Sequence, residues 1–378
     1  MSRRRPWLLL ARSFPAWLFV ALGLGVSTCG QPAPAQPTQS AQPQCRTPGP
    51  WTRVGVTRTT AGGHLSPLKI AADPTVIRDG DRYRMWFTNG DSLKRTGVAY
   101  AESRDGLVWD VWRAAAPDPV MDLVVASVPG DWDAPGVETP DVVRTPEGKY
   151  RMYYSGNRVP EGSTTYAIGM AESDDGIAWR RAAQPVLLPE NDWEQPACSG
   201  GSCTQGGVLE PSVLYDPAQR IYRMWYVGLG TKRDSFLTYR IGLATSPDGV
   251  TWTRRPDPVF DLGHPGSWDE MWSSHVEVMA DPRAGFHMFY FGSALKDYRE
   301  GVEIQRGAIG HAYSADGVTW RRNPANPVLS PRAGQPDAWS VGGPTVLAED
   351  GKLRMWYFGS LGSGLASSIV MAEAACGP

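Results

Sequence analysis

Histidine and cysteine are scarce in this chain, and that scarcity narrows its chemistry. Five of each among 378 residues leave no Cys/His cluster with metal-ligand spacing, so no metal is assigned. There is no glycine-rich phosphate loop and no Gly-x-Ser-x-Gly elbow, the short signals for nucleotide binding and for serine hydrolysis. Charge is nearly balanced, 37 basic against 39 acidic residues for a net of −2. No field of one sign therefore favours nucleic acid or an anionic surface as partner. The apolar stretch at residues 16–26 is too short for a confident membrane span. No run sustains apolar residues at helical spacing, which removes support for an α/β fold.

What is present is a repeat. A strand centred on Arg-Met and aromatics occurs as Tyr83-Arg84-Met85-Trp86-Phe87, Tyr150-Arg151-Met152-Tyr153-Tyr154 and Tyr222-Arg223-Met224-Trp225-Tyr226. It returns as Phe286-His287-Met288-Phe289-Tyr290 and Leu353-Arg354-Met355-Trp356-Tyr357. The methionines are 67, 72, 64 and 67 residues apart, a period at which one supersecondary unit buries its face only against its neighbours. Each unit opens with an apolar run after a proline (Pro74, Pro140, Pro211, Pro344), except the fourth, where Val276 takes that place. Pairs such as Asp79-Gly80, Glu147-Gly148, Asp216-Pro217, Asp281-Pro282 and Asp350-Gly351 then mark hairpins. A third strand resembling Gly242-Leu243-Ala244-Thr245-Ser246 follows, and a fourth begins after a turn, as in Asp248-Gly249-Val250-Thr251-Trp252. Four strands in each of five units predict an all-β protein, a five-bladed β-propeller over residues 50–378.

The ends predict how such a ring closes. The fifth unit runs through Ile369-Val370-Met371-Ala372-Glu373-Ala374 and lacks its Asp-Gly-x-x-Trp strand, while an orphan Pro50-Trp51-Thr52-Arg53-Val54 precedes the first unit. We expect this N-terminal strand to complete the last blade, which removes an open edge; the alternative is a loose extension. Closure brings Cys45 and Cys376 together, and a disulfide there would close a loop worth about 5 kcal/mol in the simple entropy model. Cys198 and Cys203 form the second expected bridge. Arg3-Arg4-Arg5 followed by residues 16–26 suits a signal peptide over residues 1–29. Its end, Val26-Ser27-Thr28-Cys29-Gly30, resembles a bacterial lipobox, with Cys29 as the lipid-bearing residue and Thr28 departing from the usual small residue. Residues 30–49, rich in Gln, Pro and Ala, read as a tether. The expectation is an exported cell-envelope lipoprotein or secreted protein, monomeric, touching membrane only through its anchor.

Function should lie where the repeats disagree. Directly before the shared proline position stand Asp73, Thr139, Glu210, His275 and Gly343, and two residues later Thr75, Asp141, Ser212, Glu277 and Thr345. Residues two apart in a strand share a side, so both rows are expected to face one axial site with four carboxylates and an imidazole. Packed acids raise one another's pKa. The alternative is that backbone N–H groups or arginines satisfy them at strand starts. His64 and Trp272 break the repeat and are further candidates for substrate contact, with His275 and Glu277. Trp132-Asp133, Trp193-Glu194, Trp268-Asp269 and Trp339 could supply sugar-facing apolar platforms, but their recurrence in four units favours structural packing.

With these residues the chain resembles the five-bladed glycoside hydrolase superfamily of families 43 and 32, over roughly residues 51–378. Ala72-Asp73-Pro74 matches the family 43 aspartate that acts as general base. Thr139-Pro140-Asp141-Val142 is similar to that family's Ala-Pro-Asp-Ile, whose aspartate orients the acid and tunes its pKa. Leu209-Glu210-Pro211 sits where the general-acid glutamate stands, with Glu-Gly-Pro shortened to Glu-Pro. Family 32 fits less well, since Ala72, Pro140 and Pro211 interrupt its Asn-Asp-Pro, Arg-Asp-Pro and Glu-Cys signatures. The resemblance implies a carbohydrate substrate and no required cofactor; a structural calcium at the propeller axis, which His275 could bind through water, is one option, and an inner-strand histidine that is simply hydrogen-bonded is the other, so no metal is assigned.

Paired carboxylates cleave a glycosidic bond when one protonates the leaving oxygen and the other activates water, about 6.5–9.5 Å apart for inversion. On the resemblance, Glu210 is the acid, Asp141 its tuner and Asp73 the base, in an arabinosidase- or xylosidase-like enzyme. Two other readings stay open. One is a propeller that binds glycans or envelope partners without cleaving them. The other is a phosphorylase like those of family 130, although no compact basic cluster for phosphate is visible.

Overall fold

The computed structural model of the protein describes residues 47–92, 95–113, 123–158, 165–196, 198–199, 202–203, 205–232, 236–282, 285–297, 305–364 and 366–377. Among them, apart from two short 3-10 turns at Asp192–Glu194 and Leu295–Asp297, all regular structure is strand. Five antiparallel units follow the repeat. Their first strands are Ile70–Asp79, Gly136–Arg144, Gly206–Asp216, Trp272–Asp281 and Ser340–Glu349. Each pairs with the Arg-Met strand that follows, and that strand with a third. Met85, Trp86 and Phe87 are all fully buried, so this middle strand is covered on both faces.

The N-terminal orphan pairs where it was expected. Thr52–Val56 runs antiparallel to Ser367–Gly377, with Thr52 opposite Glu373, and Thr47–Pro48 pairs with Cys376 and Gly377. Two repeating contacts show what it does there. A fourth-strand tryptophan meets an aromatic of the preceding unit edge-on: Trp109 on Trp356, Trp179 on Trp86, Trp252 on Tyr153, Trp320 on Trp225 and Trp51 on Phe289. A buried acid also accepts a tyrosine hydroxyl and a fourth-strand arginine: Asp133 from Tyr154 and Arg181, Glu194 from Tyr226 and Arg254, Asp269 from Tyr290 and Arg322. In the fifth unit Asp337 accepts from Tyr357 and from Arg53 of the orphan strand. Trp132, Trp193 and Trp268 lie over those tyrosines, and a Cβ at Gly228 would run into the Trp193 ring. The Trp-acid pieces are packing, as expected.

Between units, a side chain of each first strand accepts from the next unit's backbone. Val142 N–H donates to Thr75 (3.3 Å), Val213 to Asp141 (2.7 Å) and Val278 to Ser212 (2.9 Å). Val346 donates to Glu277 (3.3 Å) and Val76 to Thr345 (3.3 Å), which returns the series to the first unit. Cys376 is disulfide-bonded. Its expected partner Cys45, and Cys29, lie outside the described residues. Cys198 stands opposite Cys203 in a two-stranded hairpin, and the side chains of both lie outside the described residues.

Candidate active site

All five first strands carry a β-bulge at the same place. The pairing slips between Ala72 and Thr75, at Thr139–Pro140, and between Leu209 and Ser212, Ser274 and Glu277, and Gly342 and Thr345. The residue at each slip is left-handed: Asp73 (φ 47°), Thr139 (49°), Glu210 (52°), His275 (44°) and Gly343 (55°). For residues other than glycine this costs of order 1–3 kcal/mol each, and such strain collects at functional sites. Proline next in the chain normally pushes its predecessor to extended backbone, so at Asp73, Thr139 and Glu210 the surrounding structure must hold the residue against two preferences, while His275, which precedes Val276, meets only the first. Gly343 has a steric reason as well, because a Cβ there would press on Asp73.

The bulges turn the whole first row, and Thr75, Asp141 and Glu277 of the second, toward one small cavity of about 40 Å³. That is room for a few water molecules. His275 joins the acids: its Nε2 lies 3.4 Å from Asp73 Oδ1 and its Nδ1 3.5 Å from Glu210 Oε1. Its backbone N–H donates to Glu210 Oε2, and Phe291 and Phe358 meet the ring edge-on. Burial works to lower the imidazole pKa, but the carboxylates of Glu210 and Asp73 outweigh it and raise it to about 9. Glu210 is raised above the usual carboxylate range by burial and by Asp73, partly offset by His275.

Asp141 and Glu277 belong to a different set of contacts. Burial raises Asp141 to about 7 against the pull of Val213 N–H and the Thr75 hydroxyl. Burial, and then the Asp141 charge, push Glu277 well above its ordinary value. Both occupy the acceptor position that Thr75, Ser212 and Thr345 fill elsewhere, so satisfaction by backbone N–H groups holds in part for these two acids. Among the described residues neither is paired with an arginine.

Two of the sequence candidates stand apart from this cavity. The exposed ring of His64 is engaged by the Ser66 carbonyl (2.8 Å) and the Ser368 hydroxyl (2.9 Å). Trp272 donates to the Leu237 carbonyl (3.2 Å) and packs on Tyr239 and Phe291, one ring removed from His275. A residue the sequence did not flag is Glu138, which is not among the cavity-lining residues but stands across the strands from Ser155, whose Oγ accepts the Glu210 N–H. Burial and then the charges of Asp73 and Glu210 raise it to about 8, with His275 opposing. The phenol of Tyr166 is pushed up by burial, Glu138 and Glu210. The signal for Glu138 was available: Ala72, Leu209, Ser274 and Gly342 hold its place in the other units.

A calcium bound through His275 does not fit these residues. Both ring nitrogens are already engaged, Nε2 beside Asp73 Oδ1 and Nδ1 beside Glu210 Oε1. Among the described residues no group of three or more His, Cys, Asp or Glu side chains is arranged to hold a metal.

No family model matches the chain. Two uncharacterized proteins of Mycobacterium tuberculosis, from strains CDC 1551 and H37Rv, are 28% identical to it over 229 residues. That match covers 58% of this chain and 65% of those relatives, less than two thirds of their length. Among solved structures, a glycoside hydrolase superposes with a TM-score of 0.64 at 20% identity, covering 88% of this chain and 92% of that one. A thermostable family-43 glycoside hydrolase gives 0.61 at 16% identity, covering 83% and 96%. A structure from the GH130 family of mannoside phosphorylases, which contains glycoside hydrolases that target β-1,2 mannosidic linkages in Candida mannan, gives 0.57 at 16% identity, covering 91% and 98%. The chain has the fold of the propeller-type glycoside hydrolases that include family 43 and GH130.

Proposed function

We propose that the protein is a glycosidase whose five units are the blades of a five-bladed propeller closed by Thr52–Val56, and that the bulged mouth cleaves glycosidic bonds with paired carboxylates. The observation that carries this reading is His275, one imidazole touching both Asp73 and Glu210 at a cavity that Asp141 also lines. Asp73 takes the proton of a water attacking the anomeric carbon, while Glu210 gives its proton to the departing glycosidic oxygen, with inversion. The cavity holds the water, and the sugar approaches from the rim. His275 keeps the two carboxylates apart and their charges balanced.

Hydrolysis is favoured over phosphorolysis because no Arg or Lys is among the described residues that line the cavity, and a phosphate there would face Asp73 and Glu210. The substrate class is an oligosaccharide of plant or microbial origin carrying arabinofuranosyl or xylosyl residues. Support for the propeller comes from the returning series of Val N–H bonds and from Trp51 and Arg53 taking the fourth-strand places of the last unit. We place the protein outside the cytoplasm, anchored through Cys29, with Cys45–Cys376 and Cys198–Cys203 as its bridges.

The test is a panel of nitrophenyl arabinofuranoside, xyloside, fructoside and mannoside with and without phosphate. Phosphate-independent release is expected. Glu210→Gln should lose most turnover on poor leaving groups and less on activated aryl glycosides, while Asp73→Asn loses both. Equal, small losses in both variants would favour a propeller that only binds glycans.

A further inference from the structure

A second hollow, larger than the axial cavity, lies where the segment after Thr253–Arg254 of the third unit passes the turn before Arg321–Arg322 of the fourth. Its volume is about 340 Å³ and it shares no lining residue with the axial cavity. Small-molecule sites run from roughly 300 to 1,000 Å³ and combine apolar walls with a few polar groups. The floor here is Val259, Val318 and Trp320, which pack on one apolar cluster. Trp320 is half-buried; its Nε1 donates to the Gly317 carbonyl (3.2 Å) and its ring meets Trp225 edge-on, so the indole is fixed in place. Arg255 and Asp257 form the rim. Both are exposed, and among the described residues neither side chain has a hydrogen-bond or ion-pair partner.

The rim belongs to this unit alone, while the floor repeats. Ala182 and Arg255 donate their N–H groups to the carbonyls of Met170 and Leu243, and four residues on Val186 and Val259 donate to those of Ile168 and Ile241. The two segments therefore correspond residue for residue. The second unit has Ala182-Ala183-Gln184-Pro185 where the third has Arg255-Pro256-Asp257-Pro258, yet Val250-Thr251-Trp252 and Val318-Thr319-Trp320 are identical. In the fourth unit the segment from Asn323 to Val328 is one residue longer and carries no charge. A proline follows each rim charge and restricts the backbone there. From behind, the Asn191 amide and the Trp193 indole donate to the carbonyls of Arg255 (3.3 Å) and Pro256 (2.9 Å). The rim backbone is thus set before a ligand arrives, which lowers the ordering cost of binding.

We propose that this hollow is a second binding site, and that it takes a sugar residue of a neutral glycan. A guanidinium only donates and an ionised carboxylate only accepts, whereas a hydroxyl does both. A polyhydroxyl ligand satisfies both rim groups, while an anion would face Asp257 and a cation would face Arg255. The apolar face of the sugar ring rests on Trp320 and the two valines. This site goes beyond the glycosidase reading and needs no cleavage at the axial cavity.

The experiment titrates the full chain, labelled with 15N at the tryptophan indoles, with xylotetraose, with arabinotetraose and with inorganic phosphate. The Trp320 indole N–H is read by NMR and assigned with Trp320→Phe. A saturable shift is expected with at least one of the sugars and none with phosphate. Arg255→Ala and Asp257→Ala change exposed side chains and should keep the urea midpoint, while each weakens sugar binding about tenfold or more. Asp73→Asn should leave it in place. No saturable shift with either sugar, a shift equally strong with phosphate, a sugar shift that survives both rim substitutions, or one abolished by Asp73→Asn overturns the proposal. Nitrophenol release by the same protein reports the axial cavity separately. Turnover without a Trp320 shift sinks this site alone, and a Trp320 shift without turnover on any glycoside sinks the glycosidase reading alone.

Discussion

Replacing Arg53 by methionine tests the closure of the last unit at the contact where it is most exposed to failure. The Asp337 carboxyl is fully buried, and its Oδ2 accepts Arg53 Nε at 2.7 Å and the Tyr357 hydroxyl at 2.7 Å. Arg53 is itself 15% exposed, so Arg53→Met leaves a buried carboxylate facing only a phenol. Breaking a buried pair from one side costs about 3–5 kcal/mol, because the remaining charge stays desolvated. The exposed pair of Arg82 with Glu102, also at 2.7 Å, is a control whose loss should stay within about 1 kcal/mol. Urea unfolding followed by tryptophan fluorescence measures both, provided the slope m is unchanged. The sharper outcome is a sign. Arg53→Met combined with Asp337→Asn removes the orphaned charge and keeps an acceptor for Tyr357, so the double variant should be more stable than Arg53→Met alone. Arg181→Met sets the scale inside a continuous unit, where buried Asp133 likewise accepts an arginine and a tyrosine hydroxyl and Arg181 also bonds Asp131. A loss at Arg53 of under about 0.5 kcal/mol, with a full loss at Arg181, would show that the N-terminal strand does not hold the fifth unit.

Two further outcomes follow from the site and the termini. His275 has a folded pKa raised from 6.5 to about 9, so its contribution is complete below about pH 6.5 and is lost as pH rises through 9. On the order of 3 kcal/mol is at stake; urea midpoints at the two ends of that window should show a fall that is flattened in His275→Gln, and an unchanged fall would remove His275 as its source. Non-reducing mass mapping of exported protein should join Cys45 to Cys376 and Cys198 to Cys203 with Cys29 acylated or removed, and a free thiol at Cys376 would count against that pairing.

Much of the site was legible because the repeat supplies its own control. Asp73, Glu210 and His275 stand out only when set beside Thr139 and Gly343, and the structure brings all five to one cavity. Glu138 escaped because strict alternation puts residue 138 on the face opposite 139. The bulge at Thr139–Pro140 breaks that alternation, and a bulge is a property of two paired strands. Asp141 and Glu277 looked like members of the same acid row, yet their carboxyls serve as acceptors for the N–H groups of Val213 and Val346. Which acid answers a backbone donor and which faces another acid depends on strands from different units.

Strand content, hairpin turns and the spare N-terminal strand could be read along the chain, because they follow from local alternation, turn chemistry and a period that can be counted. That an imidazole sits between two carboxylates emerges only when strands of different units pack together. Charges interact through distances of a few ångströms in a buried setting, and residues 73, 210 and 275 acquire those distances only when their strands are assembled.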